Sequence, residues 1–218
     1  MNLARALWQE NSATAAAALA HPFVRGLGDG SLPTPVFGGY VAQDAFFLAA
    51  YARAYGLALA RSTDQASILG FAGLIAGVRD ELALHNGYAR SWGVDVIDVQ
   101  PATATLAYTD FLLATAATGS VGLITAAMTP CLRLYAHLGQ TLAANGVGAT
   151  HPYRDWIRTY ASDEFEALAQ QLETLLDDHS ADERAERAAY RRAMILELDF
   201  FAAAFGGDSP VWRTTGCS

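Results

Sequence analysis

Apolar residues recur at helical spacing along almost the whole chain, and no stretch alternates between apolar and polar residues as a half-buried strand would. The pattern therefore predicts an all-α helical bundle. Two predicted helices span about 3–20 and 34–61. Further helices are predicted to begin at about 62, 101, 120, 151, 162 and 180, and three of them to end near 93, 119 and 145.

Capping signals set several of these boundaries. The first helix is expected to end before His21–Pro22, since a residue that precedes proline disfavours helical backbone. Residues 26–33 are predicted to form a loop, and Thr34 to cap the next helix. Ser62–Gln65 and Ser180–Glu183 fit capping boxes and should open two further helices.

The stretch Phe111–Leu132 carries no formal charge, which is long enough to raise the question of a membrane span. Gly119–Ser120 interrupts it, and threonines recur in both halves. Two buried helices joined by a turn are therefore predicted instead. Pro130 lies within the second of them and should kink or break it.

Composition narrows the class of protein. The chain has 218 residues, of which 52% are hydrophobic and 17% charged, and no linker divides it, so 1–218 is interpreted as a single domain.

A net charge of −8 without a basic cluster argues against nucleic acid or anionic membrane as a partner. The chain contains no lysine, which excludes chemistry through a lysine Schiff base. Two cysteines, one of them Cys217, give no disulfide framework, and the N-terminal residues lack the order of a signal peptide; a cytoplasmic location is expected.

One carboxylate interrupts an aromatic stripe in the second predicted helix. The spacing places Tyr40, Asp44, Phe47, Tyr51 and Tyr55 on one helical face. Such a stripe is usually core, but burying an ionised carboxylate without partners is costly. Asp44 is therefore a candidate functional residue.

The last helix shows the same feature. Glu197 lies on an apolar stripe with Tyr190, Met194 and Phe201, whereas Asp199 lies off that face. Desolvation would raise the pKa of Glu197 towards neutrality, where a carboxyl group can both donate and accept protons. The alternative is a glutamate that reaches past the core to water or to an arginine.

Cys131 is the candidate nucleophile. It follows Pro130 in an apolar helix, and Tyr135 lies one turn further on. A cysteine in such a helix is otherwise an inert core residue. Glu81 and His85 lie one turn apart elsewhere; a hydrogen-bonded interior pair is favoured over a metal site, because di-iron bundles use a Glu-x-x-His spacing on two helices.

Taken in order, these residues resemble the TenA/thiaminase II family. The resemblance rests on the following pieces: His21–Val24, Gly30–Pro33, Tyr40, Gln43–Asp44, Phe46–Leu48, Glu81, Leu84–His85, Tyr108, Pro130–Cys131, Tyr135, Trp156–Ile157, Tyr160, Glu197 and Phe200–Phe201. It implies the haem-oxygenase-like helical fold and a homotetramer. It also implies hydrolytic thiamin salvage, in which 5-aminomethyl-4-amino-2-methylpyrimidine loses ammonia, and in some members cleavage of thiamin itself.

The resemblance also implies roles for single residues. Cys131 would add to the pyrimidine ring, Glu197 would exchange a proton with a ring nitrogen, and Asp44 would hold the 4-amino side. The substrate-binding set would be Tyr108, Tyr135, Tyr160, Phe47 and Glu81. This chemistry requires aromatic walls, a soft nucleophile and a carboxyl acid, and it requires no metal or redox cofactor.

Two segments depart from the family pattern. The residues after Cys131 include Arg133 where the family has an aromatic run, which suggests altered substrate contacts such as a preference for the N-formyl aminopyrimidine, or else a guanidinium that faces outward. The tail 208–218 matches no pattern. Two other hypotheses stay open: a non-catalytic pyrimidine-binding or regulatory protein, and a metal-dependent oxidase that uses Glu81 and His85.

Overall fold

A computed structural model describes residues 2–92 and 99–206, with the backbone alone described for residues 85, 86 and 88–92. Every regular element in these ranges is an α-helix, which confirms the predicted all-α class. The helices are α1 Leu3–Glu10, α2 Ser12–Ala20, α3 Pro22–Asp29, α4 Thr34–Arg61, α5 Gln65–Trp92, α6 Thr103–Thr118, α7 Val121–Ala144, α8 Arg154–Tyr160, α9 Asp163–His179 and α10 Glu183–Gly206. Cys217 and the tail 208–218 lie outside the described residues.

The N-terminal helix differs from its prediction because it is divided at Asn11. The buried Asn11 side chain donates to the Leu7 carbonyl at 2.8 Å, so it competes with the backbone for that acceptor. The predicted end at Ala20 is confirmed.

The loop predicted at 26–33 is wrong in its first half, because α3 continues to Asp29. Gly30 ends this helix with a φ of 77°, a left-handed conformation that suits glycine. The chain then returns so closely that a Cβ on Gly26 would lie 3.1 Å from Leu32. Gly26 therefore allows close packing inside a helix, whereas the sequence predicted that it lies in a loop.

Helix starts are displaced from the predicted positions by one to three residues. The cap of α4 is Pro33 rather than Thr34, and α5 is capped by Asp64, whose Oδ1 accepts from the Ser67 N–H at 2.8 Å. At α10 the Ala185 N–H donates to Asp182 at 3.1 Å. The helix start predicted at about 162 is confirmed: the Ser162 side chain caps α9 by accepting from the Phe165 N–H at 3.1 Å.

The central helices α4 and α7 organise the bundle. α4 packs along α5 and α6, while α7 packs along α9 and α10 and meets α8. The uncharged run forms α6 and α7 with a turn at Gly119–Ser120, as predicted. α7 continues through Pro130, so the helix is not broken there. Within the described ranges, no helix combines the length and apolar character needed to span a bilayer.

Candidate active site

Six helices bring the predicted site residues together in the interior. α4 supplies Asp44 and Phe47, α5 Glu81, α6 Tyr108, α7 Cys131 and Tyr135, α8 Tyr160, and α10 Glu197. Each aromatic member of this set is buried, as are Asp44 and Glu197, whereas Cys131 and Glu81 are only partly buried. The set therefore combines three acids and a thiol with a wall of rings.

Glu197 is 2% exposed and is held by α6. The Tyr108 hydroxyl donates to its Oε1 at 2.8 Å. Burial raises the pKa of Glu197 to about 7, although the donors Tyr108 and Cys131 lower it. The alternative of a glutamate reaching water or an arginine does not describe this side chain, and Asp199 is exposed as predicted. A carboxyl group with this pKa is half ionised near neutrality and can exchange protons in both directions.

The Cys131 thiol lies among the three acids. Burial raises its pKa well above the usual value, and the charges of Glu197, Glu81 and Asp44 raise it further. The raised pKa favours the protonated thiol at neutral pH. It can act as a nucleophile only when a neighbouring base takes its proton, and Glu197 is the acid with which it interacts most strongly.

Asp44 lies next to a pair of tyrosines, Tyr40 and Tyr135. The Tyr40 hydroxyl lies 3.5 Å from Asp44 Oδ2 and 3.2 Å from the Tyr135 hydroxyl. Burial raises the pKa of Asp44 well above its usual range, and the charges of Glu81 and Glu197 raise it further. These effects favour the protonated carboxyl, which can donate a hydrogen bond as well as accept one.

Glu81 closes another side of the site through Tyr160, whose hydroxyl donates to its Oε1. Burial raises the pKa of Glu81 to about 7, and the Tyr160 hydrogen bond lowers it in part. Glu81 also lines a pocket of about 310 Å³ between α5, α8 and α9. The pairing predicted between Glu81 and His85 cannot be described, since the His85 side chain lies outside the described residues.

Two groups of rings flank the acids. Phe47 lies 4.8 Å from Tyr108 and 5.3 Å from Tyr51, measured between ring centroids. Tyr135 lies 4.9 Å from Tyr160 in the other group. Flat, electron-poor heterocycles bind between such faces.

Two contacts of the site were not anticipated from the sequence. Tyr51 was assigned to an aromatic stripe, but its hydroxyl donates to the Met128 carbonyl at 2.6 Å, next to the turn that carries Cys131. In the sequence, the only indication that Tyr51 lies near the site is its position on the same helical face as Asp44. The Tyr40–Tyr135 contact joins α4 to α7 and could not be read from spacing within either helix.

The expectation that Arg133 contacts the substrate or faces outward is wrong. Its guanidinium donates to Glu166 at 2.9 Å and, through two nitrogens, to Glu173 at 2.7 and 2.8 Å. Only 14% of its side chain is exposed. Arg133 therefore joins α7 to α9.

Comparisons with known proteins agree with this arrangement. A family model described as the TENA/THI-4/PQQC family matches residues 8–205. The chain is 33% identical to the aminopyrimidine aminohydrolase of Halalkalibacterium halodurans, covering 99% of this chain and 100% of that protein. It is 36% identical to the mitochondrial bifunctional TH2 protein of Arabidopsis thaliana over 84% of this chain, but it spans only 34% of that longer protein. A solved structure described as a TenA family transcription regulator, from Silicibacter sp. TM1040, superposes with a TM-score of 0.86 at 28% identity, covering 92% of this chain and 95% of that one.

Proposed function

Because the chain belongs to the TENA/THI-4/PQQC family, we propose that it is an aminopyrimidine aminohydrolase of thiamin salvage. It hydrolyses 5-aminomethyl-4-amino-2-methylpyrimidine, or the N-formyl derivative, at the aminomethyl carbon. The observation that supports this proposal is that Glu197, Glu81 and Asp44, three acids from distant parts of the chain, all interact electrostatically with the Cys131 thiol and raise its pKa.

The reaction begins with the protonated thiol. As the Cys131 sulfur bonds to the ring carbon beside the one that bears the aminomethyl group, its proton passes to Glu197, and Glu197 passes a proton to a ring nitrogen. A pKa of about 7 lets this carboxyl group accept and then release the proton without a large free-energy difference. Asp44 binds the 4-amino group, and the rings of Phe47, Tyr108, Tyr135 and Tyr160 hold the pyrimidine flat.

Addition makes the ring electron-rich, which drives ammonia from the protonated aminomethyl group. Water then adds to the methylene carbon and releases one proton, which replaces the proton that the departing ammonia carried away. The ring nitrogen returns its proton to Glu197, and Glu197 passes it to the sulfur as the carbon–sulfur bond breaks and the thiol is restored. The net change is one water consumed and one ammonia released, so no electron acceptor is needed. Glu81 accepts a hydrogen bond from Tyr160, which helps to hold that ring in place, and it lines the pocket between α5, α8 and α9.

The domain organisation and the oligomeric state can be proposed on the same basis. One hydrophobic core joins residues from Leu3 to Phe201, which supports treating the chain as one catalytic domain. By resemblance to the family, we propose a cytoplasmic homotetramer. Light scattering on purified protein would test the assembly, and a monomer at micromolar concentration would contradict it.

The decisive experiment is a substrate panel. Ammonia or product release from thiamin, the aminomethylpyrimidine and its formyl derivative is measured with wild type, Cys131→Ser and the control Cys217→Ser. Wild type and Cys217→Ser should turn over at least one pyrimidine, and Cys131→Ser should be slower by about 10³-fold or more. Tight binding of the hydroxymethyl product without turnover of any member of the panel would instead favour a non-catalytic binding protein.

A further inference from the structure

Gln43 on α4 makes three hydrogen bonds to the residues at the start of α6. Its Oε1 accepts from the Ala102 N–H at 2.8 Å and from the Thr105 hydroxyl at 2.7 Å, and its Nε2 donates to the Gln100 carbonyl at 3.0 Å. The orientation of the amide is fixed, because the Ala102 N–H can only donate and the Gln100 carbonyl can only accept. We call these three contacts the Gln43 clamp.

The start of α6 lacks a capping side chain of its own. Its N-cap position is occupied by Ala102, whose side chain cannot accept a hydrogen bond. Thr105 is 1% exposed, so its hydroxyl needs a partner inside the protein, and Gln43 supplies that partner. The position of this end of α6 therefore depends on a side chain from α4.

A cleft adjoins the clamp, so apolar packing holds this end of α6 only in part. The cleft has a volume of about 270 Å³ and lies between α4, α6 and α10, with Gln43, Thr105 and Phe200 among the residues that line it. Gly39, one turn before Gln43, also lines the cleft, and a Cβ there would meet nothing within 4 Å. Apolar contacts are non-directional and allow sliding, whereas the hydrogen bonds of the clamp restrict how α6 lies along α4.

The next contact along the same two helices leads to Glu197. Phe47 follows Gln43 by one turn of α4, and Tyr108 follows Thr105 by one turn of α6. The Phe47 and Tyr108 ring centroids lie 4.8 Å apart, and the Tyr108 hydroxyl donates to Glu197 Oε1 at 2.8 Å. A displacement of α6 by about 1 Å, which is less than the rise of one helical residue, would lengthen that hydrogen bond beyond its normal range.

We propose that Gln43 is a positioning residue for Tyr108 and Glu197: the Gln43 clamp holds the start of α6 against α4, and the Tyr108 hydroxyl thereby stays within hydrogen-bonding distance of the Glu197 carboxyl group. The use of Glu197 in turnover rests on the proposed function. The clamp does not, because the protonation of Glu197 can be followed in the protein without any pyrimidine.

The chain offers a matched pair of threonines on α6. Thr105 and Thr109 lie about one turn apart and are 1% and 2% exposed. The Thr109 hydroxyl donates to the Leu106 carbonyl of its own helix at 3.2 Å, whereas the Thr105 hydroxyl donates to Gln43 on α4. Thr105→Val and Thr109→Val thus remove the same hydroxyl and keep the branched shape, but only Thr105→Val loosens the clamp.

The experiment follows the Glu197 carboxyl group by NMR titration of protein that contains isotope-labelled glutamate, and the signal is identified by its loss in Glu197→Gln. Gln43→Leu should raise the pKa of Glu197 by up to about one unit, because the Tyr108 donor that lowers this pKa is displaced. Thr105→Val should raise it by less, and Thr109→Val should leave it unchanged. The limb of kcat/KM that reports the ionisation of Glu197 should shift with each titration.

Such a shift would report on Tyr108 and not on another charge. The other titratable groups that act on Glu197 or are affected by it are Cys131 and Tyr135 on α7 and Asp44 on α4. Neither Gln43→Leu nor Thr105→Val replaces any of these groups. In a Tyr108→Phe background, Gln43→Leu should therefore add no further shift.

An unshifted titration in Gln43→Leu, equal shifts in the two threonine variants, or a further shift in the Tyr108→Phe background would overturn the positioning role even if the enzyme hydrolyses pyrimidines normally. A shifted titration in a protein that releases no ammonia would support the positioning role and reject the proposed reaction. Thermal unfolding shows whether each variant retains the fold. If Gln43→Leu unfolds, the threonine pair decides: a raised pKa in Thr105→Val alone supports the clamp, and any other outcome overturns it.

Discussion

The Tyr108 hydroxyl donates a hydrogen bond of 2.8 Å to Oε1 of Glu197, which joins α6 to α10 inside the protein. This bond favours the ionised carboxylate, whereas burial favours the protonated acid. Burial is the larger effect, and the balance leaves the pKa of Glu197 at about 7. The pKa of Glu197 therefore depends on the Tyr108 hydroxyl as well as on burial and on the Cys131 thiol.

Tyr108→Phe should move the pH dependence of catalysis to higher pH. Loss of the donor destabilises the ionised carboxylate, so the pKa of Glu197 rises, by about one unit for one hydrogen bond to a charged group. In the pH profile of kcat/KM, the limb that reports the ionisation of Glu197 should therefore shift to higher pH. Tyr190→Phe is the control, because that buried hydroxyl on α10 has no hydrogen-bond partner among the described residues. A shift to lower pH in Tyr108→Phe would contradict the assignment.

Glu197→Gln should change how stability depends on pH. The pKa of Glu197 is about 7 in the folded protein against 4.5 for an unperturbed glutamate. Because the folded pKa is raised, the contribution of this group is fully present below pH 4.5 and is lost as the pH rises through 7. The free energy of unfolding of wild type relative to Glu197→Gln should fall by about 2–4 kcal/mol across that window. Denaturant titrations at a series of pH values measure this, and a constant difference would refute a buried, shifted carboxyl.

The sequence predicted much of the site because two acids interrupt apolar stripes. Asp44 and Glu197 each break a helical pattern that is otherwise buried, and the cost of burying charge makes such positions informative. Cys131 was singled out by its neighbour Pro130. The assignment of roles to these residues came from resemblance to a family, which spacing alone could not supply.

Features that depend on contacts between distant segments were not predictable in the same way. Arg133 was misassigned because its partners Glu166 and Glu173 lie on another helix. The break at Asn11 arises from a side-chain hydrogen bond within a helix of high alanine content, and propensity alone favours continuity there. Helix starts differ by a few residues from their predicted positions where several possible capping residues are adjacent in the sequence. Each of these residues could accept a hydrogen bond from the free N–H groups of the first turn.

Arg133→Met should destabilise the protein much more than Arg187→Met. Arg133 binds two carboxylates that are themselves only 24% and 21% exposed, so its loss leaves both without this cation, although Glu166 keeps hydrogen bonds from Gln140 and Gln170. Removing one member of such a network costs about 3 kcal/mol. Arg187 pairs with Glu10 and Glu183 at the surface, where ion pairs contribute about 0–1 kcal/mol. Calorimetric melting of both variants tests this, and equal shifts would show that the Arg133 network contributes no more than a surface pair.

Gly139→Ala should damage both stability and substrate binding, because α7 meets the end of α8 at this glycine. A Cβ there would lie 2.5 Å from the Tyr160 carbonyl carbon and 2.7 Å from the Ala161 nitrogen, and backbone atoms cannot rotate away as a side chain can. Overpacking of this kind costs about 1–3 kcal/mol, more than the gain of up to about 1 kcal/mol from placing alanine in a helix. Relief requires α8 to move, which displaces Tyr160 from Glu81 and from the ring wall.

The control is Gly56→Ala in α4, where a Cβ would meet nothing within 4 Å. This variant should be as stable as wild type or more stable by up to about 1 kcal/mol, with KM unchanged. Gly139→Ala should melt several degrees lower and bind the aminopyrimidine more weakly. The effect should be larger on KM than on kcat, because the proposed role of Tyr160 is to hold the pyrimidine ring and not to act on the reacting bond. Should Gly139→Ala match Gly56→Ala in both melting temperature and KM, the close approach of α7 to α8 would have no part in positioning Tyr160.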